Sequence, residues 1–309
     1  MMLSMTRRAK PIRMSEAAWG YVFAGPAIFL IGLLALLPIL GAVWLSLYRR
    51  LPIFAVNEYV GFSNYVRLLH DERFGSAIGT TLYFTSLSVT FEVCIGLALA
   101  LLLRKLTKGS RTPPQWMQVS VVLPWAVPTV VSAQMWGWLY HPDYGLLNYL
   151  LISSGLRTDP INWLADPVWA IHAAIVMDVW KTSPFAALLL FAGLNSIPQD
   201  LYQAARVDGA GAWAQFRYIT FPLLVPIILI VLIFRTMDAI RIFDAVFVLT
   251  GGGPGGTTET LSIYAYKMLF QTLQFGYGSA LAAAMFVLVA ALTAVYLTLL
   301  RRHLTGAVQ

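Results

Sequence analysis

Six long apolar stretches, separated by short polar connections, dominate the chain; they run approximately Trp19–Tyr48, Phe74–Leu103, Trp116–Tyr140, Pro167–Leu194, Ile219–Leu249 and Gly276–Leu300. Each reaches the roughly 20 residues needed to cross a bilayer core of about 30 Å. Several are longer, which predicts tilting or extension past the headgroups. Prolines fall inside many of them (Pro26, Pro38, Pro124, Pro128, Pro184, Pro222 and Pro226). They predict interruptions, which a membrane helix tolerates where its neighbours satisfy the freed carbonyls. The pattern predicts an all-α polytopic membrane protein: six transmembrane helices lining a cavity. It divides the chain into a cytoplasmic segment (1–18), a membrane domain (19–302) and a cytoplasmic tail (303–309).

Composition strengthens this picture. Of 309 residues, 59% are hydrophobic and 11% charged, whereas a soluble domain carries about a quarter charged. Too few charges are available to cover a globule, so lipid must stand in for water. Arg7, Arg8, Lys10 and Arg13 resemble the basic start of a signal peptide, but the chain then runs uncharged from Ala17 to Tyr48. That exceeds the roughly 7–15 residues of a signal core, so a retained first helix is expected.

Basic residues set the orientation. Twelve fall in the N-terminus, the second and fourth connections and the tail, six fall on the opposite side, and Lys181, Arg235 and Arg241 lie inside spans. The excess predicts cytoplasmic termini. It also accounts for the +7 net charge without a nucleic-acid partner. Cys94 is the single cysteine, and the four histidines (His70, His141, His172, His303) show no metal-ligand spacing. No metal site is expected.

The fourth connection, 198–222, is not a featureless linker. Pro198 suits a helical first turn and Asp200 its positive end. Leu201, Ala204, Ala205 and Asp208 follow at three-to-four spacing, and Gly209 and Gly211 then turn the chain. A short helix with a small-residue face lets another backbone approach closely.

Here a resemblance becomes specific. Gln203-Ala204-Ala205, three residues, Gly209, nine residues and Ile219-Thr220-Phe221-Pro222 resemble the EAA loop of ABC importer permeases. That signature is Glu-Ala-Ala, three residues, Gly, nine residues, Ile-x-Leu-Pro. The spacing is the same; Gln203 stands for Glu and Phe221 for Leu. Gln203 keeps length and hydrogen bonding but not charge, so the resemblance implies no ionic contact there. Trp180 to Phe185, Ala192 to Leu194, Phe243 to Pro254, Gly276 to Ala280 and Gly61 to Tyr65 look like the same group, nearest the sugar-importer permeases for maltose and trehalose. The likeness covers about four fifths of the chain.

The resemblance implies a type I ABC importer permease fold in a prokaryotic plasma (inner) membrane. It implies as partners a second homologous permease subunit, two ATP-binding subunits and an extracytoplasmic sugar-binding protein. Gln203, Ala204, Ala205, Asp208, Gly209, Ile219 and Pro222 are then the ATPase-coupling residues. ATP and Mg belong to the partner subunits, with no cofactor in this chain, and the chain is not itself an enzyme.

Charges inside spans are costly, about 2.5–3.5 kcal/mol each at mid-bilayer. Arg235, Asp238, Arg241 and Asp244 follow one another at steps of three. They read either as an internal ladder of ion pairs or as a polar stripe on the substrate path. Lys181 and Trp180 join the candidate path residues, with Asp178 and Lys181 spaced as a second pair. Glu92, the lone charge of the second span, is expected to be hydrogen-bonded or paired with another span. Trp136, Trp138, Tyr140 and Trp180 suit either sugar stacking or interfacial anchoring.

The external run Gly251–Gly256 is no phosphate cradle, because no Gly-Lys-Ser/Thr follows it. Gly251, Gly252, Gly253 and Pro254 are candidate contacts for a binding protein, or else a simple link between spans. Two other functions compete within the membrane class: a glycerol-phosphate or polyol permease of the same type, and an ion-coupled secondary transporter using Glu92 and Asp238. An intramembrane enzyme lacks a catalytic cluster.

Overall fold

The computed structural model describes residues 15–107 and 115–306. Arg7, Arg8, Lys10, Arg13, Lys108 and Arg111, which enter the charge count, lie outside them. Helix α1 (Glu16–Ser46) packs chiefly on α13 (Phe275–Gly306), and most of its other large side chains are exposed. Such an apolar helix is stable there only in lipid. An antiparallel hairpin, β1 (Tyr48–Leu51) and β2 (Val56–Tyr59), follows and pairs Tyr48 with Tyr59 and Leu51 with Val56. The hydrophobic pattern carried no sign of it, because Arg49 and Arg50 read as the charged end of a span.

Helix α2 (Ser63–Leu69) leads to α3 (Glu72–Leu106), whose 35 residues span roughly 52 Å at 1.5 Å per residue. That is longer than the bilayer core, as expected. Asp71 caps α3 by accepting from the Arg73 amide at 3.0 Å.

The third span departs from a single rod. It is α4 (Gln115–Ala126) and α5 (Thr129–Leu139), bent by 94° at Val127 and Pro128. Pro128 cannot donate to the ladder and pushes the residue before it out of the helical region. Pro26, Pro38, Pro124, Pro184 and Pro226 lie within helices that continue past them, and Pro222 opens one. Most of the expected proline interruptions are therefore absent.

After α6 (Leu146–Ser153) comes α7 (Trp169–Ser196), the central span: 72% of its apolar window is buried, against none of α1's. It packs most extensively on α3. Gly96 permits the close approach, because a Cβ there would lie 2.7 Å from that of Ala186.

The fourth connection folds into α8 (Gln199–Val207) and α9 (Ala212–Gln215); a π-helical turn, Phe216–Thr220, then runs into α10 (Phe221–Ile240). The fifth span thus begins near Ala212 and ends at Ile240, nine residues before Leu249. At Arg241–Phe243 the helix breaks and α11 (Asp244–Thr250) begins. The carbonyl freed there, Ile242 O, accepts from Thr260 Oγ1 at 3.2 Å. The glycine loop, α12 (Leu261–Tyr266) and a second π-helical turn (Lys267–Gln271) complete the way to α13. Among the described residues, five helices are long and apolar enough to cross a membrane, and the bent α4–α5 pair makes six.

Candidate functional site

The two breaks, at Val127 and at Arg241, both open onto one cavity of about 430 Å³. Its wall comes from α4, α5, α7 and α10 with the start of α11, and includes Lys181, Arg235, Asp238, Arg241 and Asp244. The structure thus brings together five of the six residues expected on the path. Trp180 stands apart from this lining and meets Trp136 edge-on, with ring centroids 5.7 Å apart.

The charges divide by burial. Arg235, 5% exposed, donates from Nε to Glu92 Oε2 at 2.5 Å and from Nη2 to Glu92 Oε1 at 3.1 Å. Its Nη2 is also 4.0 Å from Asp178 Oδ2, and Ser88 Oγ bridges Glu92 (2.9 Å) and Asp178 (2.6 Å). This knot joins α3, α7 and α10 beneath the cavity and gives Glu92 its partner on another span. Asp238 and Arg241 are 58% and 53% exposed and sit above it. Asp238 meets Arg235 at 3.1 Å and Arg241 at 3.3 Å, so three of the four stepped charges do form a ladder. Asp244 is outside that ladder: it opens α11, where its charge suits the helix N-terminus.

The spacing of Asp178 and Lys181 suggested an ion pair, and the structure corrects this. Lys181 Nζ donates instead to Val127 O (2.6 Å) and Trp125 O (3.3 Å), at the C-terminal end of α4. Asp178 is already committed to Ser88 and Arg235. Capping those carbonyls offsets two costs at once: an ammonium in the membrane, about 2.5–3.5 kcal/mol, and orphan carbonyls at a helix end.

Trp125 was missed in the sequence. Its ring lines the cavity, stacked on Phe185 at 5.7 Å. Nothing local marked it, since Pro128 carries the same signal as the other span prolines.

Below the spans, α8 projects as a short amphipathic helix. Gln203, Ala204 and Asp208 face outward, Ala205 is half-buried, and Val207 is 87% exposed. The helix ends in a Schellman motif: Ala210 N donates to Ala205 O (2.8 Å) and Gly209 N to Arg206 O (3.1 Å). Gly209 has φ +80° with open space around it, so its requirement is conformational. Ile219 lies half-buried in the π-helical turn and Pro222 in the first turn of α10.

Inward, the buried Tyr202 anchors α8, a role the sequence reading did not give it. Its hydroxyl meets Thr220 Oγ1 at 2.9 Å and accepts from Arg104 Nη1 at 3.1 Å, with the Arg104 guanidinium 4.6 Å above its ring.

At the opposite end, the glycine loop is a packed turn. Gly251 and Gly252 have φ of +61° and +88°, and a Cβ on Gly252 would lie 3.0 Å from Lys267 Nζ. Thr258 Oγ1 donates to Gly253 O at 2.7 Å. Pro254 is half-buried. Glu259 beside it is buried and held by Arg73 (2.6 Å) and Lys267 (2.8 Å). Burial raises this carboxyl, but the hydrogen bonds from those two cations outweigh it and hold it below its ordinary value. Asp71 meanwhile accepts from Tyr264 at 2.5 Å and from Tyr277. These contacts tie α3, α12 and α13 together under the loop.

Comparison with known proteins places this geometry. Residues 92–305 match the family described as binding-protein-dependent transport system inner membrane component. The trehalose/maltose transport system permease protein MalF of Thermococcus litoralis is 42% identical over 93% of this chain and 95% of its own. The sulfoquinovosyl glycerol transport system permease protein SmoG of Agrobacterium fabrum is 40% identical, over 89% and 88%. A chain of a bacterial alginate ABC transporter, solved with an alginate pentasaccharide-bound periplasmic protein, superposes with a TM-score of 0.78 at 26% identity, covering 92% of this chain and 94% of that one. With a cavity between broken spans and a short amphipathic helix in the fourth connection, this chain belongs to the inner membrane components of binding-protein-dependent transport systems.

Proposed function

We propose that the chain is one of two permease subunits of an ATP-driven importer that passes a disaccharide or oligosaccharide, of the trehalose or maltose kind, to the cytoplasm. The observation that carries this reading is the position of α8. It lies in the connection between α7 and α10, followed by α9 and the π-helical turn, and those are the two spans that supply most of the charged cavity wall. A push on α8 is therefore a push on the cavity. One of two ATP-binding subunits, which carry ATP and Mg, grips the outward face of α8 around Gln203, Ala204 and Asp208. A sugar-binding protein docks at the other end, where Gly251–Pro254 forms a stiff turn. Both termini lie in the cytoplasm.

In the cavity, Asp238, Arg241 and Asp244 offer hydrogen bonds to sugar hydroxyls and Trp125 offers an aromatic face. Arg235, bound to Glu92, shapes the wall from behind. Transport follows if ATP-driven closure of the partner subunits switches the cavity between states of different sugar affinity. The wall balances Lys181, Arg235 and Arg241 with Asp178, Asp238 and Asp244, which suits an uncharged sugar better than an anionic one. Reconstitution tests the main reading: Gly209→Asp, which strains the turn after α8, abolishes the ATPase response to sugar-loaded binding protein. A normal response from that variant removes α8 from coupling.

A further inference from the structure

We propose that Lys181 is the positioning residue of the elbow in the third span, fixing the α4–α5 bend and with it the place of Trp125 in the cavity. The inference deepens the reading of the cavity as a translocation path and rests on it. Three observations converge. Helix α4 ends at Ala126, and the chain turns by 94° into α5. Pro128, which caps α5, has no N–H to offer the carbonyls behind it. Lys181 Nζ, on a residue 8% exposed, reaches two of those carbonyls, Val127 O at 2.6 Å and Trp125 O at 3.3 Å.

The choice of partner is what makes this a joint. Carboxylates line the same cavity, yet the ammonium turns to backbone. Asp178, one turn away on α7, is held by Ser88 and Arg235, and Asp238 by Arg235 and Arg241. A cation at the C-terminal end of α4 also meets the negative end of its dipole. Lys181 thus ties the bent span to α7, and only two extended residues, Ile197 and Pro198, separate α7 from α8. Displacement of α8 reaches the elbow through α7, to which Lys181 holds the elbow carbonyls and Phe185 the Trp125 ring. Because Trp125 is one of the two carbonyl partners and its ring lines the cavity, moving the elbow moves an aromatic wall of the path.

The test uses the assembled transporter in nanodiscs, with Cys94→Ser as background and spin labels at the exposed Val119 of α4 and Val176 of α7. Lys181→Met should shift or broaden the label distance by about 2 Å or more, the scale of helix shifts in switching proteins. It should also lower the maximal uptake rate while the half-saturating concentration of loaded binding protein holds. Lys181→Arg, which can donate to both carbonyls, should restore both readings. If the methionine variant does not assemble, Lys181→Gln replaces it, retaining N–H donors without the charge. A parental distance distribution in the variant, or an arginine variant no better than methionine, overturns the proposal. If the parent complex takes up no sugar, the functional reading fails, while the distance measurement still decides the elbow.

Discussion

Arg235 on α10 and Glu92 on α3 share two hydrogen bonds, at 2.5 and 3.1 Å, although 143 residues separate them in sequence. Removing one partner leaves the other charged and buried. Arg235→Met, which strands both Glu92 and Asp178, is expected to destabilise by about 3–5 kcal/mol. The double variant Glu92→Gln, Arg235→Met should be more stable than that single one. Thermal unfolding of the purified complex in detergent measures both.

The turn after α8 demands glycine at 209. Gly209→Ala forces a Cβ into φ +80°, at about 1–2 kcal/mol. The α8 register should loosen without unfolding the spans. Stimulated ATPase activity is expected to drop, with the melting temperature lowered by about a few degrees.

Tyr202→Phe keeps the packing of α8 but removes the hydroxyl shared by Thr220 and Arg104. A loss of about 1 kcal/mol is expected, read as a lower melting temperature, together with weaker ATPase stimulation at saturating binding protein.

Under the glycine loop, Glu259 titrates below its ordinary value of 4.5 because Arg73 and Lys267 hold its charged form. Its stabilising contribution is therefore present above that ordinary value and lost as pH falls through the lowered one. Unfolding temperatures between about pH 3 and 6 should fall on the acid side, and Glu259→Gln should flatten that limb.

Gly96→Ala places a Cβ 2.7 Å from Ala186 Cβ and 3.0 Å from the Ala187 amide. The α3–α7 contact must then open, costing about 1–3 kcal/mol. Thermal stability of the complex in nanodiscs would show it.

Much of this architecture is legible in the residues, and the exceptions are instructive. The short helix α8 and its terminating turn could be read because Asp200 and Gly209 are local signals at its two ends. The elbow could not, because Pro128 looks no different from Pro26, Pro38, Pro184 or Pro226, which helices pass without breaking. The break at Arg241–Phe243 left no trace, since no glycine or proline marks it and the apolar run continues to Leu249. Lys181 misled for a related reason: the i,i+3 rule sees Asp178, but its true partners are backbone carbonyls some 55 residues earlier. Tyr202 was hidden by the amphipathic pattern of α8, which tells its two faces apart but not which one is held.

The central claim is that this chain forms part of a sugar path that only partner subunits can drive. Uptake of labelled trehalose or maltose into proteoliposomes tests it most directly. The account predicts accumulation when the second permease subunit, the ATP-binding subunits, ATP and the binding protein are all present, and none from this chain alone. Uptake by the chain alone under an ion gradient would contradict it.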